Sequence, residues 1–143
     1  MADTANEGGG AGVTFVCRAS ELPPGTKKVV ECGPFGIGVF NVRGDLHALI
    51  NHCPHAGAAV CRGRITGTTE SPDGRSLLWV KQGEVLRCPW HGWEFDIASG
   101  KALTAAQRRL KKYPVYLRGG DVLVELPVSW RSAAVDPRAE VDQ

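Results

Sequence analysis

Cysteine, proline, histidine and glycine occur together twice in this chain, as Cys53-Pro54-His55-Ala56-Gly57 and as Cys88-Pro89-Trp90-His91-Gly92. The first stretch spaces its donors C-x-H and the second C-x-x-H, so each offers one thiolate and one imidazole. Two sulfurs and two nitrogens delivered by two similar loops read as the ligand set of a single metal site. Zinc accepts such sets, and a structural zinc site is the plain alternative, but zinc sites usually group the cysteines apart from the histidines. With both ligand types in each loop, and the loops built alike, the two cysteines can share one metal ion and the two histidines a second.

The elements that must hold these loops are short. TFVC and KKVVE are β-like runs, and GIGVFNV and LHALIN flank the turn residues Arg43-Gly44-Asp45 as a hairpin. LLWVK and EVLRC flank Gln82-Gly83, and KKYPVYL and DVLVEL flank Gly119-Gly120, which predicts two further hairpins. No segment carries a convincing helical period, a turn or two between Leu103 and Arg109 excepted. The expected class is all-β, made of short antiparallel strands with both Cys/His stretches in loops just after strands. Residues 1–12, small and Gly-rich, read as a disordered lead-in, residues 13–126 as the domain, and residues 127–143 as a tail that Trp130 could dock.

Composition narrows the function. The 143 residues suit one domain with a real core and leave no room for a second catalytic domain. Lys and Arg total 17 against 15 Asp and Glu, so charge gives no case for nucleic acid or an anionic membrane surface. No apolar run is long enough to span a bilayer and the amino terminus has no secretory pattern, so a soluble, cytoplasmic protein is expected. In a reducing compartment five cysteines are ligands or free thiols rather than disulfides, and Cys17, Cys32 and Cys61 need no metal role.

The two motifs, with the continuation Trp93-Glu94-Phe95-Asp96, resemble those of Rieske iron-sulfur proteins, and more closely the soluble Rieske ferredoxins, over roughly Val13 to Leu126. The resemblance implies stacked antiparallel sheets with a small cluster-binding subdomain formed by the two loops. It implies one Rieske-type 2Fe-2S cluster, with Cys53 and Cys88 on the inner iron and His55 and His91 on the outer. Thirty-two residues separate His55 from Cys88, more than such ferredoxins usually have, and the excess falls in GTTESPDGRSLL. High-potential Rieske proteins of respiratory complexes add a disulfide between the loops, and a serine and a tyrosine whose hydroxyls bond cluster sulfurs. The matching positions here are Ala58 and Trp90, and Trp93 and Phe95, which implies a potential at the low end of the Rieske range.

Around the loops, Pro54, Pro89, Gly57 and Gly92 read as cluster support, since both pairs recur at matching offsets. His47 and His52 read as surface or supporting residues rather than ligands. Trp90 and Trp93 could shield the cluster and meet a partner or simply pack, and QRRLKK, residues 107–112, is either a docking patch or a solvated strand face.

Histidine occurs only at positions 47, 52, 55 and 91, so the chain cannot also supply a two-histidine, one-carboxylate mononuclear iron. It has no G-x-G-x-x-G turn for a dinucleotide. The expectation is a non-catalytic one-electron carrier that takes electrons from a flavin-dependent NAD(P)H reductase and passes them to a terminal oxygenase, meeting both transiently. A small Rieske subunit of a larger oxidoreductase, such as a nitrite reductase, and a zinc-stabilised interaction module are the alternatives.

Overall fold

The computed structural model describes residues 11–54, 57–90, 92–103, 107–131 and 141–142. The elements that build the first half are β1 (Ala11–Arg18), β2 (Lys27–Val30), β3 (Ile37–Val42) and β4 (Asp45–Ile50). Next come the hairpin of β5 (Arg64–Glu70) and β6 (Leu78–Arg87), and the short strand β7 (Glu94–Asp96). The chain then forms β8 (Lys112–Tyr113), β9 (Val115–Arg118), β10 (Asp121–Pro127), the helical turn α1 (Val128–Arg131) and β11 (Val141–Asp142).

These strands form three antiparallel sheets, ordered β1-β10-β9, β11-β2-β3-β4-β8 and β5-β6-β7. Side-chain parity shows how they stack. Val30, Ile37, Val39 and Ala48 pack with Val16, Val122, Val124 and Leu126, against the β1-β10-β9 sheet. Their neighbours Val29, Phe40 and Leu49 pack with Leu86, Phe95 and Ile97, on the opposite side. Because successive side chains point to opposite faces, the five-stranded sheet is the middle layer and feeds two cores. This is why β3, IGVFNV, is buried almost throughout, while β10, covered on one face, alternates buried Val122, Val124 and Leu126 with half-buried residues. The all-β class and the stacked antiparallel sheets are as the sequence predicts.

The hairpins at Arg43-Gly44 and Gly119-Gly120 form, with registers Val42↔Asp45 and Asp121↔Arg118. The one at Gln82-Gly83 does not. All of LLWVK but Leu77 and all of EVLRC but Cys88 lie on the single strand β6, and the reversal occurs between β5 and β6, at Ser71–Leu77. Lys81 and Gly83, at φ 57° and 83°, form a bulge: β5 pairs Thr66 with Val85 but Thr68 with Val80, so residues 81–84 stand outside the ladder. In the stretch from Leu103 to Arg109 residues 104–106 lie outside the described set, and Arg109 bridges to Lys101 in extended pairing. The α-helical turn comes later, at α1, where Trp130 tilts onto Tyr113 with ring centroids 5.4 Å apart. Beyond it, β11 pairs with β2. The lead-in residues 1–10 and the tail residues 132–140 and 143 lie outside the described residues.

Candidate metal centre

Cys53 stands three residues past the end of β4 in the middle sheet, and Cys88 directly past the end of β6 in the third. The two loops repeat the same backbone device. The Cys53 N–H donates to the carbonyl of Ala58 at 2.8 Å, and the Cys88 N–H to the carbonyl of Trp93 at 2.7 Å, five residues on in each case. Four residues after each cysteine, Gly57 and Gly92 adopt φ 76° and 71°, in the left-handed region where other residues are strained. The residue before each cysteine lies over that glycine. A Cβ on Gly57 would meet His52 at 3.3 Å, and one on Gly92 would meet Arg87 at 3.1 Å. The matching offsets seen in sequence are thus two copies of one turn.

Both thiols are buried, at 0% and 2% exposure, inside the core cluster that also holds Leu86 and Phe95. Burial raises the Cys88 thiol above its ordinary range, the backbone N–H of Trp90 directed at its sulfur opposes this, and the neighbouring Cys53 thiol raises it further. All five cysteines are free. Two adjacent buried thiols, from separate sheets and with an amide aimed at one sulfur, fit a metal that takes them as thiolates: ionisation beside a cation removes the cost of burying their charge. His55 and His91, the other two expected donors, lie outside the described residues, as does Ala56.

Several residues that fix the loops carry no mark in the sequence. Asn51, 6% exposed, accepts the Cys61 N–H on its Oδ1 at 2.8 Å and so ties the first loop at its base. Arg108 donates to the carbonyl of Pro54 at 3.3 Å, so part of the basic run is a brace for that loop. Phe35 stacks on His52 with centroids 3.9 Å apart. Gly63 passes under the second loop so closely that an added Cβ would lie 1.8 Å from the Arg87 carbonyl oxygen. His52 is therefore a packed, half-buried neighbour, and His47, on β4, lies half-buried beside Lys112. Trp90 is 54% exposed whereas Trp93 packs half-buried onto the core, 6.3 Å from Phe95.

A family model, the Rieske [2Fe-2S] domain, matches residues 12–114. The chain belongs to the Rieske [2Fe-2S] domain family. Among its relatives, the 3-phenylpropionate/cinnamic acid dioxygenase ferredoxin subunit of Escherichia coli (strain K12) is 28% identical over 114 residues, 79% of this chain and 92% of that protein. Sphingomonas yanoikuyae B1 ferredoxin superposes with a TM-score of 0.60 at 27% identity, over 80% of this chain and 98% of that one. A chain from the complex of reduced oxygenase and oxidized ferredoxin in carbazole 1,9a-dioxygenase gives a TM-score of 0.62 at 25% identity, over 78% and 91%. The Rieske chain binds one 2Fe-2S cluster and is a ferredoxin-type electron carrier rather than a catalyst. Among the described residues no helix is long and apolar enough to cross a membrane.

Proposed function

We propose that this Rieske chain receives single electrons from a flavin-dependent NAD(P)H reductase in the cytoplasm and hands them to a terminal oxygenase, touching each partner transiently. In this reading Cys53 and Cys88 hold the inner iron and His55 and His91 the outer. When bound, the cluster supplies one-electron chemistry and nothing else. The chain's residues bury the two thiols, aim an amide at one sulfur, and leave Trp90 and Pro89 on the surface beside them. That surface placement of the second loop is the observation that carries the reading, because a partner can reach the loop without the fold opening. The oxygenase assignment is supported by the relatives, among them the 3-phenylpropionate/cinnamic acid dioxygenase ferredoxin subunit and a chain of the oxygenase–ferredoxin complex of carbazole 1,9a-dioxygenase.

The reading is tested by reconstitution. With NADH, a reductase and an oxygenase of the aromatic-ring type, the chain should restore product formation in proportion to its concentration. Alone, with dithionite and oxygen, it should form no product. Hydroxylation by the chain alone would overturn the carrier role.

A second reading, a subunit held permanently in a larger oxidoreductase, is favoured by one feature. Leu77, Leu78 and Trp79 at the end of the β5–β6 hairpin are 77%, 48% and 57% exposed, an apolar tip unusual for a free carrier. A larger enzyme that remains with the chain through purification from its native source would decide for this reading.

A further inference from the structure

Beside the second Cys/His loop a groove of about 500 Å³ runs between Arg62, Arg64 and Arg87 and ends at Cys88 and Gly92. Gly63 and Arg64 also line a neighbouring groove of about 540 Å³ that reaches Lys27 and Lys28. Together the two adjoining grooves, a trough centred on Arg64, are lined by five cations, of which Lys28 is buried at 7% exposure. Among the described residues three carboxylates stand against it. Arg62 pairs with Glu31 at 3.1 Å, Arg87 lies 3.9 Å from Glu94, and Glu21 lies at the far end. Arg64, exposed and at the centre, has no ion-pair partner among the described residues. Lys27 is already engaged, donating to the Cys61 carbonyl at 2.7 Å. Among the described residues the trough therefore has a positive excess and a guanidinium with no ion-pair partner, and it reaches a proposed iron ligand, Cys88. A carboxylate is the planar anion that a guanidinium fork binds best.

We infer that this trough seats a carboxylate-bearing surface segment of the reductase, with Arg64 as its anchor. The inference rests on the carrier reading above. The choice of reductase over oxygenase follows from charge. In the transfer one electron leaves the reduced flavin and one enters the carrier, with no bond made or broken in this chain, so the chain becomes one unit more negative beside the trough. An acidic partner is thus held more firmly by the oxidised chain than by the reduced one. That order suits a donor, which must bind the oxidised form and release the reduced. For an acceptor it would oppose binding and hinder release.

Charged inorganic probes test the trough without either partner. The reduced holoprotein is mixed in a stopped-flow instrument with anionic hexacyanoferrate(III) or cationic hexaammineruthenium(III). Raising the salt from about 20 to about 300 mM should slow the first reaction and not the second. In Arg62→Glu/Arg64→Glu the ratio of the two rates should fall about tenfold. Any change in driving force acts on both probes in the same direction and largely drops out of that ratio. Calorimetric titration of the oxidised protein with redox-inert hexacyanocobaltate(III) should show binding that Arg64→Glu abolishes. Arg64→Gln, at an exposed position without an ion-pair partner, keeps the test open if the double variant disturbs Glu31, and should lower the ratio by a smaller factor. A ratio that stays within about twofold of wild type in these variants would overturn the trough as an anion seat.

The occupant is tested separately, with purified partners. Arg64→Glu should raise the half-saturating carrier concentration in the reductase reaction about tenfold and leave the oxygenase reaction within about twofold. The reverse pattern would overturn the assignment to the reductase. If wild-type protein exchanged electrons with neither partner, the carrier reading itself would fall, whereas the probe ratio would still judge the trough.

Discussion

At Gly63 a single methyl group decides whether the second loop can close. The Cβ of an alanine would lie 1.8 Å from the Arg87 carbonyl oxygen, and Arg87 is bonded directly to Cys88, so the backbone that carries the thiol would have to move. Gly63→Ala should therefore cost about 3 kcal/mol or more and prevent cluster incorporation, read by urea unfolding and by iron and sulfide content. Gly83 provides the contrast: nothing lies within 4 Å of its Cβ position, and only its φ of 83° is strained by a side chain. Gly83→Ala should cost about 1 kcal/mol and leave the iron content unchanged. The cysteines divide as sharply. Cys53→Ser and Cys88→Ser should each abolish the visible spectrum, whereas Cys17→Ser, Cys32→Ser and Cys61→Ser should keep it, although all five thiols are buried. Cys61 shows why burial alone is no guide, since its thiol is satisfied by the carbonyls of Leu49 and Ile50 at 3.6 and 3.5 Å.

Among the elements, the β5–β6 hairpin is the one the rest of the fold leans on least at its tip. Ser71 to Leu77 are all exposed, and their turn is closed locally by Asp73, which accepts the backbone N–H groups of Arg75 and Ser76. Replacing residues 71–77 by a tight two-residue turn should leave the visible spectrum intact and change stability by no more than about 0.5 kcal/mol in urea unfolding. This hairpin also marks where the sequence is hard to read. Gly83 in left-handed conformation is the same local signal in a reversal and in a bulge, and only the pairing of Thr66 with Val85 and Thr68 with Val80 separates them. The turns at Arg43-Gly44 and Gly119-Gly120 are legible because each joins two adjacent alternating strands with nothing left over. In the metal centre the cysteine pair and its glycines are visible, being local and repeated. Asn51, Arg108 and Gly63 are not, since they act on residues 10, 54 and 24 positions away, to judge from the Cys61, Pro54 and Arg87 contacts.

Across the whole molecule, the two cores flanking the middle sheet divide the work. One takes in the proposed metal-binding thiols, and the other holds Cys17, Cys32 and Tyr113 with no such role. Burial pushes Cys17 and Cys32 each up to about 11 from the ordinary 9.0, so the fold keeps protons that the unfolded chain gives up. Their contribution to stability is complete below pH 9.0 and is lost as pH rises through about 11. Urea unfolding between about pH 8 and about pH 11 should show this fall, and Cys17→Ala/Cys32→Ala should make it shallower, the remainder coming from Cys61 and Tyr113, which burial also raises. The two loops that carry Cys53 and Cys88 set the working potential. Ala58 and Trp90 offer no disulfide between the loops, and Trp93 and Phe95 carry no hydroxyl to bond a cluster sulfur. Hydrogen bonds to sulfur favour the more negative reduced state, so their absence lowers the potential. Opposing this are the Trp90 amide at Cys88 and the cations of the neighbouring trough, but one amide and partly paired, solvated arginines are weak beside two buried hydroxyl donors. The midpoint should therefore lie near the lower bound for Rieske centres, about −150 mV. At that value a flavin reduced by NADH can fill the carrier and quinol cannot. Protein-film voltammetry at neutral pH reads it directly, and a clearly positive midpoint would show that other groups at this end of the molecule supply what the two hydroxyls and the disulfide do not.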